Sequence, residues 1–145
     1  MLFELLAIVC AGLFAGAALY ITFVEHPARL ECGTALAATE FGPSYRRATV
    51  MQASLAAGGL VAATVAWAQG RGAEVLLGGL LLGIVVPFTL LVILPTNQRL
   101  LRPDLDRGSA EARYLLERWG RLHAVRSGTS TIGFLVMVIH LTRGG

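Results

Sequence analysis

The chain has 145 residues, 55% of them hydrophobic, and its mean hydropathy is +0.67. Ordinary soluble domains hold roughly 45–50% apolar residues, so this composition excludes one and predicts a single integral membrane domain over residues 1–145. The net charge of +3 is carried by twelve arginines and no lysine; they flank apolar spans, so nucleic acid is not an expected partner.

Four apolar segments follow in order, about Leu2–Val24, Ala48–Ala68, Val75–Leu94 and Leu122–Leu141. Each matches the roughly 20 helical residues that cross a hydrocarbon layer. The predicted fold class is all-α, an integral membrane four-helix bundle. The first segment has no basic leader region and exceeds a signal-peptide core, so it reads as a retained membrane helix. The pairs Gly12/Gly16 and Gly79/Gly83 would let helix backbones approach closely. Pro27 is expected to end or kink the first helix around Glu25–His26, and Pro95 to close the third. Pro87 should kink the third helix by displacing the carbonyl of Gly83. Ser109 reads as the N-cap of a helix that starts near Ala110 and can run unbroken through Trp119 into the fourth span.

The connections are unequal. Residues 69–74 form a tight hairpin, whereas 25–47 and 95–121 read as longer polar loops on the opposite face. Those two loops hold nine arginines against Arg71 and Arg143 on the other side. The positive-inside rule then puts the long loops in the cytoplasm and both termini outside, in a cell (inner) membrane. A shift of 74 superposes Tyr45, Arg47, Thr49, Gln52 and Gly59 on Trp119, Arg121, His123, Arg126 and Gly133. The pattern raises the option of two parallel-duplicated helical hairpins, with chance identity as the alternative. The two cysteines, Cys10 and Cys32, would lie roughly 33 Å apart along a helix, so no disulfide is expected.

Polar residues gather at one membrane level. Glu25 and His26 end the first span, Tyr45 and Gln52 begin the second, Asn97 ends the third, and Trp119, His123 and Arg126 begin the fourth. Trp119, His123 and Arg126 fall at i, i+4 and i+7, on one helix face. Ionisable groups at this depth are costly and by default mark a functional site. His123 could act as a general base, or hydrogen-bond to Asn97. Arg126 needs either several carbonyls or an anion, which could be Glu25 or an anionic ligand. Trp119 and Tyr45 are either pocket walls or interfacial belt residues. Should a metal or haem bind, His26 and His123 are the candidate ligands. The set is thin, no Glu-x-x-His occurs, and no cofactor is expected. Membrane lipids and a hydrophobic small molecule are the expected partners, with a homo-oligomer as an option.

The stretches Gly12–Gly16 (Gly-Leu-Phe-Ala-Gly), Phe23–Ala28 (Phe-Val-Glu-His-Pro-Ala), Leu94–Leu100 (Leu-Pro-Thr-Asn-Gln-Arg-Leu) and Trp119-x-x-x-His123-x-x-Arg126 carry a resemblance. In order and spacing, the chain resembles the anthrone oxygenase-like family of small four-helix membrane proteins. That resemblance implies oxidation of an anthrone-like aromatic to a quinone by dioxygen, without a known cofactor. It supports Asn97, Trp119, His123 and Arg126 as functional positions, with Glu25 and His26 less directly. The competing reading from the residues is a non-catalytic membrane protein that binds a lipid, a small molecule, haem or a partner subunit.

Overall fold

The computed structural model describes residues 1–144. Four long helices make up the described chain: α1 (Leu2–Glu31), α2 (Thr34–Ala68), α3 (Ala73–Leu100) and α4 (Ala110–Thr142). All four are long and apolar enough to cross a membrane, so the chain is a multi-pass membrane protein with an all-α four-helix fold. Each helix packs on its sequence neighbours and α1 closes the ring on α4, while the diagonal pairs hardly touch. Short connections enforce this up-and-down order.

The polar loop expected at 25–47 is absent, because those residues are helical except at Cys32–Gly33. Here the alanine-rich start of α2 buries Ala37, Ala38 and Phe41, and the apolar face outweighs the scattered charges. The second loop shrinks from 95–121 to residues 101–109 for the same reason, with Leu100, Leu105, Leu115 and Leu116 joining one core. In that loop a hydrogen bond from Arg102 holds the Asp104 carboxyl below the usual carboxylate range. Ser109 caps α4 as expected, accepting from the Ala112 amide at 3.1 Å. The helix then runs without interruption to Thr142.

Two prolines expected at helix ends lie inside their helices. Pro27 does not end α1, which continues to Glu31, and α3 passes Pro95 to reach Leu100. Each proline is preceded by a widened, π-helical turn, Ile21–Glu25 in α1 and Thr89–Ile93 in α3. The His26 amide reaches Ile21 and the Leu94 amide reaches Thr89, so the chain absorbs the missing proline donor by loosening one turn. The helical pattern of α3 is interrupted at Ile84, three residues before Pro87, with the Ile84 amide still bonded to Leu80 O and the Phe88 amide to Ile84 O. Both half-chains thus carry the same device: a widened turn, one residue, then proline.

Tight packing at the other end comes from small residues. A Cβ on Gly79 would fall 2.4 Å from Ala63 Cβ, and one on Gly83 would fall 2.8 Å from Leu60 Cδ2. Glycine at these positions lets α3 lie against α2. Gly16 has nothing within 4 Å and carries no such role. The α2–α3 hairpin closes on Gly70 (φ +84°), with Arg71 N–H bonded to Ala66 O and Gly70 N–H to Trp67 O. That is a Schellman cap, which needs the left-handed conformation glycine tolerates. One apolar core fills the half of the bundle near the termini and a second lies under the 101–109 loop.

Candidate functional site

Between those two cores lies a cavity of about 110 Å³. Its walls are apolar, with Phe14 and Val85 from one core and Ile21, Phe41 and Trp119 from the other. Its polar lining comes from Arg29, Ser44, Tyr45, Thr49, Gln52, Thr89, Asn97, His123 and Arg126. All four helices contribute, because each crosses this level and every one presents a polar residue there.

His123 is 2% exposed, and its ring stacks on Trp119 with centroids 4.7 Å apart. Its Nδ1 lies 3.1 Å from Thr22 Oγ1 and 3.4 Å from Ser127 Oγ. Both contacts engage Nδ1, and Nε2 is the ring nitrogen that faces away from them. Arg126 lies one turn deeper. It donates from Nη2 to Gln52 Oε1 at 2.9 Å, and its guanidinium sits 5.6 Å from the centre of the Phe14 ring. The pair joins α2 to α4 at the two positions related by the shift of 74, which suits an internal pseudo-symmetry in which matched residues meet.

Several expected site residues converge and others do not. Asn97, Tyr45, Gln52, Trp119, His123 and Arg126 all line the cavity. His26 lies behind Trp119, 5.1 Å from it between ring centroids, and is packed over Gly120. Glu25 turns outward. Its carboxylate accepts from Arg29 and from Ser44, so it does not meet Arg126. Asn97 makes no bond to His123; both of its amide atoms are buried without a partner among the described residues. The same holds for both His26 nitrogens, Thr96 Oγ1, Gln52 Nε2 and Arg126 Nε.

Three contributors escaped the sequence reading: Arg29, Thr22 and Ser127. Arg29 is 7% exposed, donates to Glu25 and Ser44, approaches Glu40 at 2.9 Å and lies 5.9 Å over Trp119. Its signal was the i,i+4 spacing from Glu25. Thr22 is marked in the chain only as the one serine or threonine of the first apolar span. His140 lies at the opposite end, near Glu4, Arg71 and Glu74. Among the described residues no group of three or more His, Cys, Asp or Glu side chains could hold a metal ion. Cys10 and Cys32 are both free thiols.

The fold and site define a multi-pass, four-helix membrane protein with a cavity whose walls are apolar and whose lining joins a histidine, two arginines and two amides. The family model for anthrone oxygenase matches residues 41–136, well over half of the chain, and the chain belongs to that family. A 46-residue stretch is 52% identical to anthrone oxygenase tpcL of Aspergillus fumigatus. That stretch is 30% of this chain and only 29% of the fungal protein. No solved structure matches. The family match spans Tyr45, Gln52, Asn97, Trp119, His123 and Arg126, whereas Thr22, Glu25, His26 and Arg29 lie outside it.

Proposed function

We propose that the protein is a membrane oxygenase that oxidises a flat, hydrophobic aromatic of the anthrone type with dioxygen, and that the cavity is its active site. The observation that carries this reading is the convergence of His123, Arg126 and Asn97 on one apolar-walled cavity, with buried polar atoms left over. An unpaired buried donor or acceptor costs about 1–3 kcal/mol, so a ligand with oxygen atoms in the right places would be favoured there.

In this mechanism His123 Nε2 removes a proton from the acidic ring methylene. Arg126 and the Asn97 amide stabilise the enolate oxygen that forms. Dioxygen then takes the electrons of the carbanion. The methylene carbon loses two hydrogens and becomes a carbonyl with one oxygen atom, and the second oxygen leaves as water. Dioxygen is the only oxidant the balance needs, so no cofactor is part of the proposal. His26 and His123 both pack on Trp119, and that pair alone would be a meagre metal or haem site.

The cavity is smaller than the roughly 300–1,000 Å³ of drug-sized ligand pockets. Val86 and Leu90 line it and are also exposed on the lipid-facing side of α3. A tricyclic ligand would therefore reach the cavity from the bilayer, between α2 and α3, and leave part of its body there. The site lies at the end that carries most arginines, which the positive-inside rule assigns to the cytoplasm. Exposed Cys32 is the native marker of that end, and an impermeant maleimide should label it in inverted vesicles but not in intact cells.

The direct test is oxygen uptake by the purified protein with an anthrone. Wild type should consume oxygen, and His123→Ala and Arg126→Ala should lose about 10²-fold or more. Equal rates in all three would remove both residues from the mechanism. Tight anthrone binding with no turnover would favour a non-catalytic binding protein.

A further inference from the structure

The contacts around the ring of His123 form a chain whose hydrogens can be counted. Three contacts run in series: His123 Nδ1 to Thr22 Oγ1 at 3.1 Å, Thr22 Oγ1 to Ser127 Oγ at 2.8 Å, and Ser127 Oγ to the Ala18 carbonyl at 3.0 Å. Each contact requires one hydrogen. The two hydroxyls supply one each and the carbonyl supplies none. The third must therefore sit on Nδ1. Ser127 donates to Ala18, Thr22 donates to Ser127, and the imidazole donates from Nδ1 to Thr22. The single serine hydrogen is shared between the Ala18 carbonyl at 3.0 Å and the His123 carbonyl at 3.2 Å; any other arrangement leaves one of the three contacts in series with no hydrogen, a repulsive contact in a site where Ser127 is 2% exposed.

We infer that Thr22 and Ser127 are positioning residues that fix His123 as the Nδ1–H tautomer and leave the Nε2 lone pair free to act as the base. The inference rests on the reading of His123 as the proton acceptor. The fold supplies the geometry in two ways. Thr22 lies in the widened turn Ile21–Glu25 of α1, the kind of local distortion that re-aims a side chain at a functional site. Ser127 lies one turn beyond His123 on α4, where it also approaches the His123 carbonyl at 3.2 Å. The proline-linked turn and the serine thus have a shared consequence, since both orient one imidazole.

The test uses the full-length protein with ¹⁵N-labelled histidine, reading the His123 tautomer from its ring nitrogen resonances and oxygen uptake with anthrone in parallel. Wild type should show Nδ1 protonated and Nε2 unprotonated. Ser127→Ala removes the acceptor for Thr22, whose hydroxyl can then turn to Nδ1, so the tautomer should invert to Nε2–H. Thr22→Val should leave a mixture, and Thr22→Ser should restore the wild-type tautomer and guard against a folding artefact. Oxygen uptake should fall about 10²-fold in Ser127→Ala and Thr22→Val and return with Thr22→Ser. An Nε2–H ring in wild type, or an unchanged tautomer in both Ser127→Ala and Thr22→Val, overturns the relay. If the tautomers behave as stated while no variant or wild type consumes oxygen, the relay stands and the oxygenase reading fails.

Discussion

Replacing Gln52 separates what the Arg126 contact does for folding from what it does for chemistry. Gln52 is 3% exposed, and its Oε1 is the one hydrogen-bond acceptor that Arg126 finds among the described residues, at 2.9 Å. Gln52→Leu keeps the volume and removes that acceptor. A hydrogen bond to a charged group contributes about 1.5–3 kcal/mol, but polar contacts between membrane helices average nearer 0.6. A loss of about 1–2 kcal/mol is expected, which lowers Tm by roughly 2–8 °C in a domain of this size. Gln52→Glu has the opposite balance. Its carboxylate pairs with the guanidinium, so Tm should hold or rise. Arg126 would then face a permanent anion and no longer stabilise an enolate, and oxygen uptake should fall about 10²-fold. Thermal unfolding in detergent and anthrone-dependent oxygen uptake, measured on the same preparations, read the two effects. Wild-type activity in Gln52→Glu would refute the role given to Arg126, and an unchanged Tm in Gln52→Leu would refute the energetic reading of the contact.

Gly120 makes room for His26: a Cβ there would lie 2.6 Å from His26 Nε2 and would push the ring by about 0.8 Å to ordinary contact. Gly120→Ala should cost about 1–3 kcal/mol by overpacking and disturb the Trp119 stack, seen as a lower Tm and a change in tryptophan fluorescence. Gly79→Leu should prevent α3 from closing on α2 and abolish folded protein in size-exclusion chromatography, whereas Gly16→Ala, with open space around it, should shift Tm by no more than a degree or two. At the opposite end of the bundle, Glu4 is 1% exposed and lies 3.5 Å from Arg71. Glu4→Leu should lower Tm yet leave oxygen uptake of the folded fraction unchanged; a comparable loss of specific activity would tie that distant cluster to the site.

Much of the site's composition was legible in the chain, because expensive groups in apolar spans are few and each stands out. Asn97, His123 and Arg126 could be named from depth alone, and all three line the cavity. Their partners could not. Glu25 was a reasonable match for Arg126 by charge and level, but Arg29, one helical turn away on the same element, holds it locally. Gln52 takes its place, since a carboxylate on α1 pointing outward cannot reach a guanidinium between α2 and α4. Thr22 went unread because one threonine in a span is unremarkable until a widened turn brings it against a histidine 101 residues away.

By itself, the amino-acid sequence determined that the protein crosses a membrane four times and that its polar residues share one level, because burial of apolar length and the cost of charge in lipid depend on composition and spacing. Only the tertiary structure decided that prolines 27 and 95 loosen their helices instead of ending them, that the long loops are mostly helix, and which buried polar atoms meet. Those outcomes depend on packing between helices, where a shift of one turn exchanges every partner.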